Sequence, residues 1–176
     1  MFHVNKGVMG LRGDGVNSMY LSNCLVADIE NHGNKGVDQF GHYLRSHPSQ
    51  GAQIGYNGSD TYGVILSACN DVSFKSLTVQ NVNSDNGQSV GLGLQNDTCT
   101  VKGDEVIIRN VTAGSDQTFD PNVYLLPNQI PTPRALFVDE SVYHTKIKNL
   151  VISDIVGMTN NPYKFPTDIR SPITLE

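Results

Sequence analysis

The sequence predicts an all-β protein in which about four similar units stack as a solenoid. Three observations lead to this prediction. The composition combines 17 Gly with only 16% charged residues, which favours many tight turns between strands. A pattern of alternating apolar residues followed by Asp or Asn and another apolar residue occurs four times. The distance from an upstream apolar segment to that Asp or Asn is nearly constant, at 15 to 17 residues.

Each unit begins with a short apolar segment that we predict to be a strand. These segments are GVMGL at 7–11, YGVIL at 62–66, VGLGL at 90–94 and RALFV at 134–138. A second strand follows in each unit, in LVADIENHG at 25–33, LTVQNVNSD at 77–85, VIIRNVTAG at 106–114 and LVISDIVGM at 150–158.

Stacking of the second strands predicts two ladders. Alternating residues of a strand point to one face, so one aliphatic residue per unit should be buried above the next. The expected members are Val26, Val79, Ile108 and Ile152. Where the alternation breaks, amide and carboxylate side chains suit a corner and can bond to the backbone or to the next unit. The expected members are Asp28, Asn81, Asn110 and Asp154.

The spacing predicts a single domain over residues 1–176. The units lie near 7–31, 62–85, 90–114 and 134–158, with insertion loops at 32–61 and 115–133. Because insertions leave a solenoid from one side, variable spacing on that side is expected. SPITLE at 171–176 resembles the start of a fifth unit, although residues 157–170 could fold back as a partial cap. We expect a fragment of a larger protein, or another chain or further coils covering the open ends.

The repeated pattern resembles the right-handed parallel β-helix, the pectate-lyase-like fold of polysaccharide lyases, polygalacturonase-type glycosidases and phage tailspikes. The resemblance covers residues 7–160. It implies a right-handed β-helix of about four coils with long insertion loops and, by analogy of fold, a role in handling polysaccharides. This sequence lacks the paired-Asp and Gly-His-Gly segments of polygalacturonases and a clear pectate-lyase base site, so the resemblance assigns no catalytic residue. An antiparallel β-sandwich is the structural alternative.

The turn between the two strands of each unit carries a carboxylate. These acids are Asp14, Asp71, Asp97, and Asp139 with Glu140. Stacked at the strand spacing of about 4.8 Å, they would form a column. Glycosidases use two carboxylates, about 5–5.5 Å apart for retention or about 6.5–9.5 Å apart for inversion. Asp71, Asp97 and Asp14 are therefore the candidate catalytic residues. A Ca²⁺ site is a second interpretation, and ordinary turn chemistry is a third.

The longest insertion carries three of the five His residues. Loops on a rigid scaffold commonly carry function. The candidate substrate-binding residues are Asp38, His42, Tyr43 and Arg45, with His42 or Asp38 as acid or base. Alternatively, the loop packs over one face with its His residues at the surface. Zinc has little support, because His42 and His47 have no third ligand nearby, and we predict no metal site.

Charge and cysteine content narrow the possible partners and cofactors. A net charge of −5 without a basic run argues against nucleic acid, and no apolar run is long enough to span a membrane. Cys24, Cys69 and Cys99 fit no metal-binding spacing. We interpret them as buried thiols, with a Cys69–Cys99 disulfide as the alternative. Apart from the Ca²⁺ interpretation, no cofactor is expected.

Three functions remain. The leading hypothesis is a carbohydrate-engaging β-helix module, extracellular or on a particle surface, which could form part of a polysaccharide lyase or glycoside hydrolase. Tyrosines that could stack on sugar rings are Tyr43, Tyr56, Tyr62 and Tyr143. The alternative is a non-catalytic structural or assembly β-helix of a particle, fibre or larger complex. The third is cell adhesion through Arg12-Gly13-Asp14, which should occupy a turn.

Overall fold

The computed structural model describes residues 2–3, 9–31, 60–85, 87–118, 131–161 and 166–176. Within these ranges the chain forms eleven strands and no helix. The strands are β1 (Phe2–His3), β2 (Met9–Asp14), β3 (Asn17–Asn31), β4 (Thr61–Ser67), β5 (Asn70–Ser84), β6 (Ser89–Gln95), β7 (Cys99–Thr118), β8 (Pro133–Val138), β9 (Tyr143–Thr159), β10 (Thr167–Ile169) and β11 (Ile173–Leu175). In the same ranges, no helix has the length and apolar character needed to cross a membrane.

All neighbouring strands are parallel and belong to two sheets. Sheet A has the order β1-β3-β5-β7-β9-β11, and sheet B has the order β10-β8-β6-β4-β2. From β2 to β9 the chain alternates between the sheets, so each short strand and the long strand after it form one unit. Units 1 to 4 are therefore β2–β3, β4–β5, β6–β7 and β8–β9. The predicted all-β class is confirmed, and the antiparallel sandwich is excluded for the described strands.

Strand register confirms both predicted ladders. Val26 pairs with Val79, Val79 with Ile108, and Ile108 with Ile152. The first three are fully buried, and Ile152 packs against the same core. The corner residues take matching positions two residues further along. These are Asp28, Asn81, Asn110 and Asp154, which we call the bend column. Burial of one aliphatic side chain per unit thus fixes the register of the polar column beside it.

Each long strand bends at three residues with positive φ, five residues apart. In β5 these are Asp71, Ser76 and Asn81, with φ of 52°, 54° and 54°. The corresponding residues are Ser18, Asn23 and Asp28 in β3, Thr100, Glu105 and Asn110 in β7, and His144, Asn149 and Asp154 in β9. Asn and Asp tolerate this left-handed conformation best among residues that have a Cβ. The sequence pattern predicted only the third bend of each strand.

Two predicted boundaries differ from the structure. β7 continues to Thr118, so the second insertion begins later than residue 115. β2 extends through Asp14, so Arg12-Gly13-Asp14 ends a strand instead of occupying a turn. The turn follows it at Gly15, whose φ is 62°.

The ends of the described chain add strands to both sheets. β10 pairs with β8, and β11 pairs with β9. The repeat therefore continues into a fifth unit, β10–β11, as predicted, but this unit begins at β10 and SPITLE contains its second strand. Residues 167–169 form a strand of the stack instead of part of a folded-back cap. At the other end, β1 pairs with β3 at Val26 and Ala27.

Candidate functional site

A polar groove with a volume of about 460 Å³ crosses units 1 to 3 beside the last bend of each long strand. Its lining residues are Asp28, Glu30, Asn81, Asn83, Asn110, Thr112 and Ser115. Three belong to the bend column. Three others form a second column two residues further along, because Glu30 pairs with Asn83 and Asn83 with Thr112. In unit 4 this second column continues with Val156, which is 45% exposed, so its polar character ends there.

Hydrogen bonds between units hold the bend column. Asn81 Nδ2 donates to Asp28 Oδ1 at 2.6 Å, and Asn110 Nδ2 donates to Asn81 Oδ1 at 2.8 Å. An ionised carboxylate only accepts hydrogen bonds. Asp28 therefore sets the direction of the column, in which each amide donates towards unit 1.

The second column is also bonded across units. Thr112 Oγ1 donates to Asn83 Oδ1 at 2.6 Å, and Asn83 Nδ2 donates to Asp85 Oδ1 at 3.2 Å. The bend-column side chains that line the groove, together with Asn83 and Thr112, are thus held by their neighbours before any ligand arrives. Such preorganisation lowers the entropy cost of binding.

Hydrogen-bonding capacity remains after these contacts. A side-chain amide has two N–H donors and an oxygen that accepts twice, whereas the column uses one N–H of Asn81 and one of Asn110. The second N–H of each amide, and the hydroxyl of the exposed Ser115, can face a bound molecule. The groove therefore offers donors and acceptors together, which is the combination that hydroxyl groups require.

The charge of the groove is concentrated at one end. Asp28 and Glu30 belong to unit 1, and the lining that the structure describes contains no Lys or Arg. A ligand carrying negative charge would meet two carboxylates there. Neutral polar ligands avoid this repulsion.

The three predicted catalytic acids do not stack on one another. Asp14 pairs with Ser67, which in turn pairs with Gln95. Asp71 lies at the first bend of β5, in the position that Thr100 takes in β7. Asp97 lies in the turn before β7, where its backbone N–H donates to Ser141 Oγ at 3.0 Å. The expected column of acids is therefore not formed by these residues, because each occupies a different position relative to the paired strands.

Around these acids the structure shows ordinary turn contacts. Arg12 and Asp14 form an exposed ion pair at 2.8 Å, and Ser141 donates to Asp139 Oδ1. Among the residues that the structure describes, no three His, Cys, Asp or Glu side chains lie close enough to hold a metal ion. The catalytic role of Asp14, Asp71 and Asp97 stays a prediction.

The predicted substrate-binding residues lie outside the described residues. They are Asp38, His42, Tyr43 and Arg45, together with His47 and Tyr56. Sequence reasoning missed four lining residues, Glu30, Asn83, Thr112 and Ser115. A signal for three of them exists, because a polar residue occurs two positions after the corner in each of units 1 to 3.

A second polar cluster joins β8 of unit 4 to β10 on sheet B. Arg134 Nε lies 3.0 Å from Asp168 Oδ2, and Arg170 donates two hydrogen bonds to the same carboxylate. Both guanidinium groups lie against the Phe137 ring, at 5.6 and 5.4 Å from its centroid. Burial lowers the pKa of Arg134, while Asp168 opposes that shift. Because Arg134 on β8 contacts Asp168 on β10, the cluster holds these two neighbouring strands together.

The three cysteines are free thiols. Cys69 Sγ donates to the carbonyl of Ser67, whereas Cys99 Sγ donates to Asn70 Oδ1 at 2.9 Å. The alternative of a Cys69–Cys99 disulfide is wrong, because the two side chains contact different groups although their backbones are bonded. Only Cys69 is fully buried; Cys24 and Cys99 are half-buried.

No protein-family model matches this sequence, and no curated protein or solved structure matches it. The class of protein therefore follows from the fold itself, an all-β protein with parallel strands in two sheets.

Proposed function

We propose that this chain is a right-handed parallel β-helix module that binds a polysaccharide along the polar groove, in an extracellular or particle-surface setting. The observation that carries the proposal is the groove itself, in which amide, hydroxyl and carboxylate side chains recur in two columns across three units. The alternation of the chain between two parallel sheets supports the β-helix.

The spacing of the groove favours a polymer over a compact ligand. Each column presents one side chain per strand, so similar groups recur about every 4.8 Å along the stack. A chain of sugars offers hydroxyl groups at repeated intervals and can bond to several units at once. Its hydroxyls both donate and accept, as do the amides of Asn81 and Asn110.

The affinity should be modest because no aromatic side chain lines the groove in the described residues. Stacking of sugar rings on Tyr62 or Tyr143 does not contribute there. Tyr143 begins β9, next to Cys99 of β7 and far along the strand from the last bend. Hydrogen bonds would therefore supply most of the binding free energy at this site.

Binding is tested with a glycan array followed by calorimetric titration of the strongest ligand. We expect Thr112→Val and Glu30→Gln each to weaken binding about fivefold. The first removes a hydroxyl that can bond to the ligand, and the second replaces a charge-assisted hydrogen bond with a weaker neutral one. Ser73→Ala, on another part of sheet A, is the matched control and should bind as the unchanged protein does. Equal affinity in all four proteins would remove the groove from the proposal.

Cleavage of the sugar is a separate question, which a reducing-sugar assay answers. Asp28 with Glu30 is the pair of carboxylates within the groove, and Asp71 and Asp97 are the residues that the sequence nominates. Loss of sugar release in Glu30→Gln, but not in Asp71→Asn or Asp97→Asn, would place hydrolysis in the groove. Repeating the titration with Ca²⁺ and with a chelator tests the Ca²⁺ interpretation.

A non-catalytic assembly module is the second candidate function. The observation that favours it is the open edge of unit 1. In the part of the chain that the structure describes, β2 is the last strand of sheet B, and apolar residues of unit 1 are only half-buried. These are Leu11, Val16, Met19, Leu21 and Cys24.

A further inference from the structure

The hydrogen bonds of the second column determine which atoms of Thr112 remain available to a ligand. This column contains Glu30, Asn83 and Thr112, one residue in each of units 1 to 3. Asn83 Nδ2 donates to Asp85 Oδ1 at 3.2 Å, and Thr112 Oγ1 donates to Asn83 Oδ1 at 2.6 Å. The two bonds form a chain that runs from the carboxylate of Asp85 to a hydroxyl in the groove.

Asp85 sets the direction of this chain. An ionised carboxylate only accepts hydrogen bonds, so the atom of Asn83 that faces Asp85 must be its side-chain nitrogen. The side-chain oxygen of Asn83 then faces Thr112, and an amide oxygen also only accepts. The hydroxyl of Thr112 must therefore give its single proton to Asn83.

Thr112 is consequently an acceptor towards the groove. A hydroxyl has one proton and two lone pairs, and this proton is used in the bond to Asn83. Thr112 is half-buried and lines the groove, where its lone pairs can accept a bond from a ligand. The amides of Asn81 and Asn110 are less restrictive, because their bonds within the bend column leave each of them an N–H and an acceptor position.

A bound sugar must therefore present a hydrogen-bond donor to Thr112. A free hydroxyl of the sugar does so. An O-methylated or O-acylated position has no proton, so its oxygen would face another acceptor. Leaving a polar group without a partner on binding is costly, and a site built to bond a hydroxyl discriminates against an analogue that lacks the proton.

We infer that the groove selects polysaccharides whose hydroxyl groups are free and rejects polymers that are O-methylated or O-acylated at the position facing Thr112. The inference rests on the proposed sugar-binding function and names the class of polymer that this site takes. Asp85 is a positioning residue, which acts through Asn83 and is not among the described residues that line the groove.

Calorimetric titration with one polymer in two forms tests the inference. The probe is the neutral polysaccharide that binds most strongly on the glycan array, used as it is and after O-methylation. The unchanged protein should bind the methylated form at least about tenfold more weakly. In Thr112→Val this ratio of affinities should fall about fivefold, because valine has nearly the shape of threonine but no lone pairs. A steric effect of the added methyl groups would leave the ratio unchanged in this variant.

Two further variants separate the positioning role from a purely structural one. Thr112→Ser keeps a hydroxyl and should recover the discrimination that Thr112→Val loses. Asp85→Asn offers a donor to Asn83, so the amide of Asn83 can turn over and release the proton of Thr112 towards the ligand. This variant should bind the methylated polymer about threefold more tightly than the unchanged protein does. A purely structural role of Asp85 would instead weaken the binding of both forms.

Circular dichroism melts establish that each variant folds. Equal affinity of the unchanged protein for the two forms would overturn the inference, as would the same ratio of affinities in the unchanged protein, Thr112→Val and Asp85→Asn. In either case, weaker binding of the free polymer by Glu30→Gln and Thr112→Val would still support the sugar groove. Unchanged binding of the free polymer by those two variants, or no binding of any glycan, would overturn the groove and the inference with it.

Discussion

The side-chain amide of Asn81 donates a 2.6 Å hydrogen bond to the carboxylate of Asp28, a residue 53 positions earlier in the chain. This bond joins units 1 and 2 across the first insertion. It also orients the amide, since only the nitrogen of Asn81 can donate to a carboxylate. The orientation passes to Asn110, whose nitrogen donates to the oxygen of Asn81.

Asn81→Asp should therefore destabilise the fold by about 1–3 kcal/mol at neutral pH. The substitution replaces the donor with an acceptor and brings a second carboxylate next to Asp28. Chemical denaturation measures the change in the free energy of unfolding. Asn23→Asp is the matched control, because Asn23 also has positive φ but, in the described part of the chain, its side chain bonds to the adjacent Ser22 and not to another unit. A loss as large at Asn23 would show that the bend, and not the column, is responsible.

Asp154→Asn should stabilise the fold by about 0.5–1.5 kcal/mol. The side-chain nitrogen of Asn110 bonds to Asn81, so the side-chain oxygen of Asn110 is the acceptor that remains towards unit 4. The next residue of the bend column, Asp154, carries a carboxylate, which is also an acceptor. An amide at residue 154 would extend the column by one donor and would suit the φ of 56° at this position. The same denaturation measurement applies, and a decrease in stability would contradict the proposed direction of the column.

Thr145→Val should stabilise the protein by about 1 kcal/mol. Thr145 is 3% exposed and lies in the inward column between Val101 and Ile173. Its hydroxyl has no hydrogen-bond partner within the described structure, so valine removes a buried polar group at little change in shape. Thr98→Val is the contrasting variant. Thr98 is fully buried, but its hydroxyl donates to Gln95 at 2.7 Å, and its replacement should destabilise. A stability loss at both positions would refute the assignment of an unpaired hydroxyl.

Gly91→Ala should destabilise the protein by about 1–3 kcal/mol through overpacking. A Cβ at Gly91 would lie 2.4 Å from Ile108 Cγ2 and 2.6 Å from the backbone oxygen of Ala135. The side chain of Ile108 on sheet A and the backbone of β8, the neighbouring strand of sheet B, leave no room there for a methyl group. Gly93→Ala, two residues along the same strand, meets nothing nearer than 3.5 Å and should be tolerated. Thermal melts of both variants provide the comparison, and similar melting temperatures would contradict the close approach at Gly91.

The parts of the fold that repeat were predictable from the sequence. Val26 and Val79 share an alternating pattern and a fixed distance to their corner residues, so their ladder could be read without the structure. The bends at Ser76 and Glu105 could not. They have equivalent positions but different residue types, and neither type marks a left-handed conformation as clearly as Asn or Gly does.

The candidate site was less predictable because it depends on register. Glu30, Asn83 and Thr112 share a polar position two residues after the corner of their units, but this recurrence alone does not indicate that their side chains line a groove. Conversely, Asp14 and Asp71 both lie near the junction between the two strands of their unit in the sequence. In the structure, however, Asp14 pairs with Ser67 at the end of β4, whereas Asp71 lies in β5, so the two carboxylates are not neighbours. The position of a residue within the junction between two strands decides which side chain of the next unit lies beside it. The pattern of apolar residues sets the register of the strands but indicates the positions of the junction residues only weakly.

The proposal of a sugar-binding groove is tested most directly by NMR. The isotope-labelled protein is titrated with the strongest glycan from the array while backbone amide shifts are followed. The account predicts that the largest shifts cluster at residues 28–30, 81–83 and 110–115, and that they are smaller in Thr112→Val at the same subsaturating ligand concentration. Shifts centred on Lys102 and Lys146, or no shifts with any glycan, would contradict it.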